Sequence, residues 1–324
     1  MAERIAMRPP SAQSGIALVA VLIIVAIVSL ITFELGMGQQ IWLRQAQNLQ
    51  DKTQAELVRR GAEQYAMLIL DRDGRDNTID HLGEPWATTL PVLPAEGGRV
   101  AVALEDMQGR FNINNLLKNG QYDADAGAVF RRLLTNQGIN IEVQNALLDW
   151  MDADSQFRVG GAEDEYYTNI ENGYRTANQL LSTVQELVLV KGWEQKDFDR
   201  IRGLITALPV PTAININTAP AEVLAALFEG MPVEEAKRIV DYRKGRPFNR
   251  PSDIMKAVSG SYPAPKESLM ATDSHYFQIT TAVEFGRYYR TTLALVVRPG
   301  QGQPSRLISH DRPLIHLAVE KTGE

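Results

Sequence analysis

From Ile16 to Phe33 the chain runs for 18 residues without a charge and almost without a polar side chain. As a helix rising 1.5 Å per residue it reaches roughly 27 Å, about the hydrocarbon thickness of a bilayer. A secretory signal core is usually about 7–15 residues long and ends at a small-residue cleavage site. This run is longer, and no A-x-A pattern closes it. Arg4 and Arg8 precede it, so the positive-inside bias keeps the N-terminus cytoplasmic and sends the rest of the chain across. The first expectation is therefore a transmembrane helix over 16–35 that stays in the protein.

From Gln39 the pattern turns amphipathic. Ile41, Leu43, Leu49, Ala55, Leu57, Val58, Ala62, Tyr65, Ala66 and Leu68 recur at three-to-four spacing with no proline, which predicts one helix from Ile16 to about Leu70. Its second half is expected to pack on a globular head. The stretch "DRDGRD" (71–76) reads as the turn that stops it, its acids interspersed with Arg72 and Arg75.

Further on, "GRVAVALEDMQGRFNINNL" (98–116) reads as a hairpin, with Val100, Val102 and Leu104 alternating and Gln108-Gly109 turning into Phe111-Asn112-Ile113. Residues 275–299 and 306–320 are again strand-like, rich in β-branched and aromatic side chains. Between them the helical segments are "DAGAVFRRLLTNQG", "IEVQNALLDWMDAD", "ANQLLSTVQELVLV", "EQKDFDRIRGLITAL", "APAEVLAALFEG" and "VEEAKRIVDYRKG". The expected class is α+β: a long N-terminal helix, a small head from 71–119 and 272–324 with an antiparallel sheet, and an inserted helical domain over 120–271.

Composition narrows the chemistry. A net charge of −6 argues against a broad phosphate-binding surface. The absence of cysteine removes disulfides, thiol nucleophiles and cysteine-type zinc sites. Only four histidines occur (His81, His275, His310, His316), none at HExxH spacing. There is no GxSxG, P-loop or GxGxxG, so no enzyme is expected. The densest acidic stretch is 147–167, with Asp149, Asp152, Asp154, Glu163, Asp164 and Glu165 around Gly160-Gly161. Carboxylates so close either face bulk water or share a hard cation such as Ca²⁺, which takes six to eight oxygens from loops of this kind. Asp149 and Asp152 share a face if the helix continues that far. No EF-hand pattern is present.

Two local resemblances precede a larger one. A basic leader, Gly15 and an unbroken apolar helix resemble the type IV prepilin signal, which implies cleavage between Gly15 and Ile16 and N-methylation of Ile16. Two positions depart from it: Ile16 stands where most pilins have Phe, and Ala20 where most carry the Glu that neutralises a neighbour's terminal amine. The stretch 214–256 resembles the DNA-binding helix-hairpin-helix module, keeping Gly230. Pro232, which lacks an N–H, replaces its second glycine, and Glu234 and Glu235 stand where phosphate would approach. Lys237, Arg238, Arg243, Lys244 and Arg246 keep open an alternative, a membrane-anchored DNA-binding protein of competence type.

In order along the chain come "WA" (86–87), "EDMQGRFNINNL" (105–116), "LLDWMDAD" with "GGAEDEYY", "ANQLLSTVQEL" (177–187) and "ININTAPAEVL" (214–224). Behind a prepilin-type start, this series is similar to the general secretion pathway protein K family, the large minor pseudopilin of the type II secretion system. Ala20 fits, because the family lacks the pilin Glu. The resemblance implies a pilin-like α+β fold and a single-pass inner-membrane subunit with a periplasmic head, processed by the prepilin peptidase. It implies minor pseudopilins I and J as partners in a tip complex, with H and the major pseudopilin as further candidates and no nucleic acid. It also implies calcium in the head, with Asp152, Asp154, Glu163 and Asp164 as the expected ligands and Asp149 the weaker candidate.

Overall fold

The structure, a computed structural model, describes residues 13–88, 92–300 and 302–311. Most of the leader, with Arg4 and Arg8, lies outside them, as do His316 and the rest of the strand expected beyond residue 311.

Helix α1 (Gln13–Asp76) is a single helix of 64 residues, about 96 Å long at 1.5 Å per residue. Its N-terminal half touches nothing: every described side chain from Ile16 to Gln50 is exposed. It is the one helix among the described residues long and apolar enough to cross a membrane. Only its last six turns are covered. There Ala55, Ala66 and Leu70 are buried, with Val58, Ala62, Met67 and Ile69 packed beside them. The expected amphipathic face is thus halved. Leu49, Leu57, Tyr65 and Leu68 are each more than half exposed; at 100° per residue, Leu57 and Leu68 fall on the side opposite Ala55 and Ala66.

The acidic stretch 71–76 is not the turn that was expected but the end of α1. Its charges are satisfied without breaking the helix, because Asp71 accepts from the Ser305 N–H (2.7 Å) and Asp73 from Arg298 (2.9 Å). Gly74 sits within this turn because a Cβ there would lie 3.0 Å from the Arg298 side chain. The helix ends where Asn77 turns back, its N–H on Asp73 O and its side chain on Asp73 Oδ1 (2.8 Å).

The head is one antiparallel sheet in the order β1 (Leu93–Ala95), β2 (Gly98–Asp106), β3 (Tyr276–Phe285), β4 (Tyr288–Val297) and β5 (Arg306–Asp311). Val100, Val102 and Leu104 do alternate inward as read from the sequence. With Phe277, Ile279, Val283, Phe285, Ala294 and Val296 they meet α1 around the buried Trp86. The β3–β4 turn needs Gly286, whose φ of 53° fits a tight primed hairpin and whose missing Cβ admits Asp51 of α1.

The hairpin expected over 98–116 does not form. Strand β2 pairs with β1 and, across 169 intervening residues (107–275), with β3: Val100 opposite Val283, Leu104 opposite Ile279. Past Asp106 the chain enters the helical domain, where Phe111-Asn112 pairs in parallel with Ile205-Thr206. The reason is burial: Phe111, stacked on Phe130, and Ile113 belong to the helical core and not to the sheet. All described residues of that domain fall between β2 and β3.

Inside the insert are α2 (Ala124–Asn136), α3 (Val143–Met151), α4 (Asp164–Asn169), α5 (Gln195–Ile201), α6 (Ala221–Leu227) and α7 (Val233–Gly245). The segment 177–190, expected to be helical, is mostly irregular, with a short 3-10 turn over Val184–Leu189. Buried Asn114 holds it open by receiving the Leu181 N–H and donating to the carbonyls of Leu181 and Leu208, each at 2.9 Å.

Insert and head are joined by a buried polar hub. Asp106 at the end of β2 accepts from Thr218 Oγ1 (2.6 Å), Ser274 Oγ (2.7 Å) and Asn215 Nδ2 (3.0 Å). Asn215 reaches Asp80 O (3.1 Å), and Asp80 receives the Ser274 N–H (2.6 Å) and Arg298 Nη2 (2.6 Å). Gly109 is required here, since a Cβ would stand 2.7 Å from Thr218 Oγ1.

Candidate metal centre

The acidic stretch is shaped by the end of α3. That helix stops at Met151, and Asp152 caps it in extended conformation, its N–H on Leu148 O. The chain then loops outward through Phe157 and Val159, which is 90% exposed, and returns at Gly161 to start α4. The return is anchored by Tyr167, buried edge-on against Trp150 (5.1 Å) and accepting the Lys191 N–H (3.0 Å). Lys191 Nζ donates to Gly161 O (2.9 Å).

This path brings Asp152, Asp154 and Glu163 together, with carboxylate oxygens within 4.8 Å of one another. In two of these carboxylates one oxygen, Asp152 Oδ1 and Glu163 Oε1, is buried and has no hydrogen-bond partner. A buried acceptor left unpaired is costly, so they mark a place where something positive fits. Burial, reinforced by Asp149, Asp152, Asp154 and Asp164, pushes the Glu163 carboxyl up to about 7. Hard carboxylate oxygens suit calcium.

The other two candidates are committed elsewhere. Asp149 is fully buried, accepting from the Arg158 guanidinium at Oδ1 (2.6 Å) and the Arg158 N–H at Oδ2 (3.0 Å). Asp164 Oδ1 takes both the N–H (2.9 Å) and the hydroxyl (2.7 Å) of Thr176, which hold its carboxyl below the usual range. Sequence reading missed Arg158, whose Nη1 also lies 2.5 Å from Asp152 Oδ2. An arginine six residues past an aspartate carries no signal until the loop folds back.

A second trio, Asp73, Asp80 and Glu84, is as closely spaced but has no comparable opening. Arg298 meets Asp73 and Asp80, while Asn77, the His81 N–H and Trp86 Nε1 satisfy Glu84. It is a structural junction.

The helix-hairpin-helix resemblance survives as shape only. Helices α6 and α7 are joined through Gly230 (φ 74°). Lys237, Arg238 and Lys244 pair with Glu234, Glu235 and Asp241 on their own helix. Arg243 is buried on Ile216 O (2.6 Å), and Glu235 caps the Ser259 N–H. Asn215 and Thr218, just before α6, serve the hub described above, and Asn217 between them is tied to the Phe248 backbone (2.9 and 2.8 Å).

The family model for type II secretion system protein K matches in two parts, residues 109–210 and 214–272. Type II secretion system protein K of Pseudomonas aeruginosa is 34% identical over 323 residues, 96% of each chain. This chain belongs to the type II secretion system protein K family. The Klebsiella pneumoniae protein K is 30% identical, over 87% of this chain and 92% of that one. A chain in the crystal structure of the GspK-GspI-GspJ complex from the enterotoxigenic Escherichia coli Type 2 Secretion System shares the fold. It has a TM-score of 0.73 at 22% identity, over 83% of this chain and 99% of that chain. The function is accordingly that of a minor pseudopilin in protein transport, and the DNA-binding alternative finds no support.

Proposed function

We propose that this minor pseudopilin stands at the tip of a periplasmic pseudopilus, in an initiating complex with minor pseudopilins I and J. The observation that carries this reading is the stem. Leu49, Leu57, Tyr65 and Leu68 lie exposed on α1 beyond its membrane-length segment, away from the chain's own head, and apolar helix faces of this kind are covered by partner helices. The insert over 107–275 is too bulky to repeat in a tightly packed filament. Ala20 suits a subunit with no neighbour above whose amine needs a carboxylate. Minor pseudopilin H and the major pseudopilin would then join from below.

In this reading α1 anchors the chain once in the inner membrane, N-terminus cytoplasmic and head periplasmic. The prepilin peptidase cuts between Gly15 and Ile16, and Ile16 is N-methylated. Calcium is the ligand proposed for the acidic centre, held by Asp152, Asp154 and Glu163. Bound there, it would supply positive charge to the unpaired oxygens of Asp152 and Glu163 and fix the loop, with no reaction performed. Asp149 would act on the site through Arg158, and Asp164 would fix the start of α4 through Thr176.

Co-expression with minor pseudopilins I and J, followed by purification through this chain, tests the assembly; failure of both to co-purify would refute it. Mass spectrometry of the membrane-extracted protein should give a methylated Ile16 terminus, and a terminus at Met1 would overturn the processing. Chelation should lower the melting temperature if calcium is bound only by the native state.

A further inference from the structure

We infer that Arg158 is a built-in counter-cation of the acidic centre and holds down its affinity for a divalent ion. The inference rests on the calcium reading above and concerns how that site is set. Four carboxylates converge here: Asp149, Asp152, Asp154 and Glu163. Arg158 enters among them, Nη1 at 2.6 Å from Asp149 Oδ1 and 2.5 Å from Asp152 Oδ2. Lys191, another nearby cation, is turned to Gly161 O and the Tyr166 ring.

A guanidinium keeps its charge at any ordinary pH, so the charge at this position is permanent. It satisfies Asp149 and one oxygen of Asp152, leaving Asp152 Oδ1 and Glu163 Oε1 orphaned. A divalent ion on those oxygens would have to share Asp152 with Arg158. Two cations on one carboxylate repel, and the ion's affinity is reduced by that repulsion. The arginine also has a way out. Its side chain is 31% exposed and its neighbours Phe157 and Val159 are largely exposed, so the guanidinium has an open path to solvent while Asn145 on Val159 O and the Arg158 N–H on Asp149 keep the backbone in place. Without a divalent ion Arg158 keeps the loop folded; with one, it is displaced or strained. The loop is thereby held in both conditions, at the cost of weaker ion binding.

The test uses the full processed chain in detergent, with calcium chloride titrated calorimetrically and melting followed in chelator. Arg158→Gln is expected to bind calcium at least tenfold more tightly than the parent and to melt at lower temperature in chelator. Arg158→Lys keeps the charge and should stay within about threefold of the parent. Unchanged or weaker binding by Arg158→Gln overturns the inference while leaving the calcium reading intact. So does a tenfold tightening in Arg158→Lys. If neither parent nor Arg158→Gln binds calcium, the calcium reading falls and the inference falls with it.

Discussion

Arg298 offers the sharpest test of what joins the stem to the head. It follows β4, is 7% exposed, and bridges two acids on the C-terminal side of α1. Nη2 lies 2.6 Å from both oxygens of Asp80 and 2.8 Å from Ser274 O; Nη1 lies 2.9 Å from Asp73 Oδ2. The guanidinium also covers the Phe277 ring at 4.8 Å. Arg298→Met keeps most of the volume and the contact with Phe277 but strands two buried carboxylates. Removing one partner of a buried ion pair costs about 3–5 kcal/mol. The upper end is expected, because two buried acids lose their counter-charge and keep only neutral donors, Asn77 Nδ2 on Asp73 (2.8 Å) and the Ser274 N–H on Asp80 (2.6 Å). Since Asp80 also touches the hub through Asn215, head and insert should weaken together. Urea unfolding of the detergent-solubilised chain, followed by circular dichroism, measures the loss. Adding Asp73→Asn and Asp80→Asn to Arg298→Met should restore part of it, as the buried charges disappear. A loss below about 1 kcal/mol, or no recovery in the triple variant, would refute the reasoning.

The Glu163 carboxyl, at about 7 folded against 4.5 as its ordinary value, holds a proton in the native state that the unfolded chain has already released. Calcium-free protein should therefore be most stable below about pH 4.5 with respect to this group and lose stability as pH rises through 7. Glu163→Gln should flatten that slope in pH-dependent melting. Calcium stabilisation should grow over the same interval, because the ligand must shed its proton. Gly161→Ala would place a Cβ 1.8 Å from Asp149 Oδ2, which Arg158 holds in place. A loss of about 1–3 kcal/mol, typical of overpacking, and a weaker calcium response are expected in thermal melts. Leu57→Glu, on the uncovered side of α1, should alter stability by less than about 0.5 kcal/mol yet reduce co-purification with minor pseudopilins I and J.

What the sequence determined by itself is whatever depends on neighbours along the chain. The apolar run, the long helix, the alternation of Val100, Val102 and Leu104, and most helices of the insert follow from periodicity alone. The acidic stretch 147–167 is visible there too, but that Asp152, Asp154 and Glu163 meet is decided by a loop that folds back. Tertiary structure decided the rest, because each such feature turns on a distant partner. Asp71 and Asp73 stay helical since Ser305 and Arg298 answer their charge. Strand β2 pairs with β3 because Phe111 and Ile113 are drawn into the helical core instead of turning back. Leu57 and Leu68 look in the sequence like core residues, yet the sheet covers only one side of α1. Arg158 is the clearest case. Nothing in its local sequence marks it, and only the closure of the loop puts a permanent positive charge between Asp149 and Asp152.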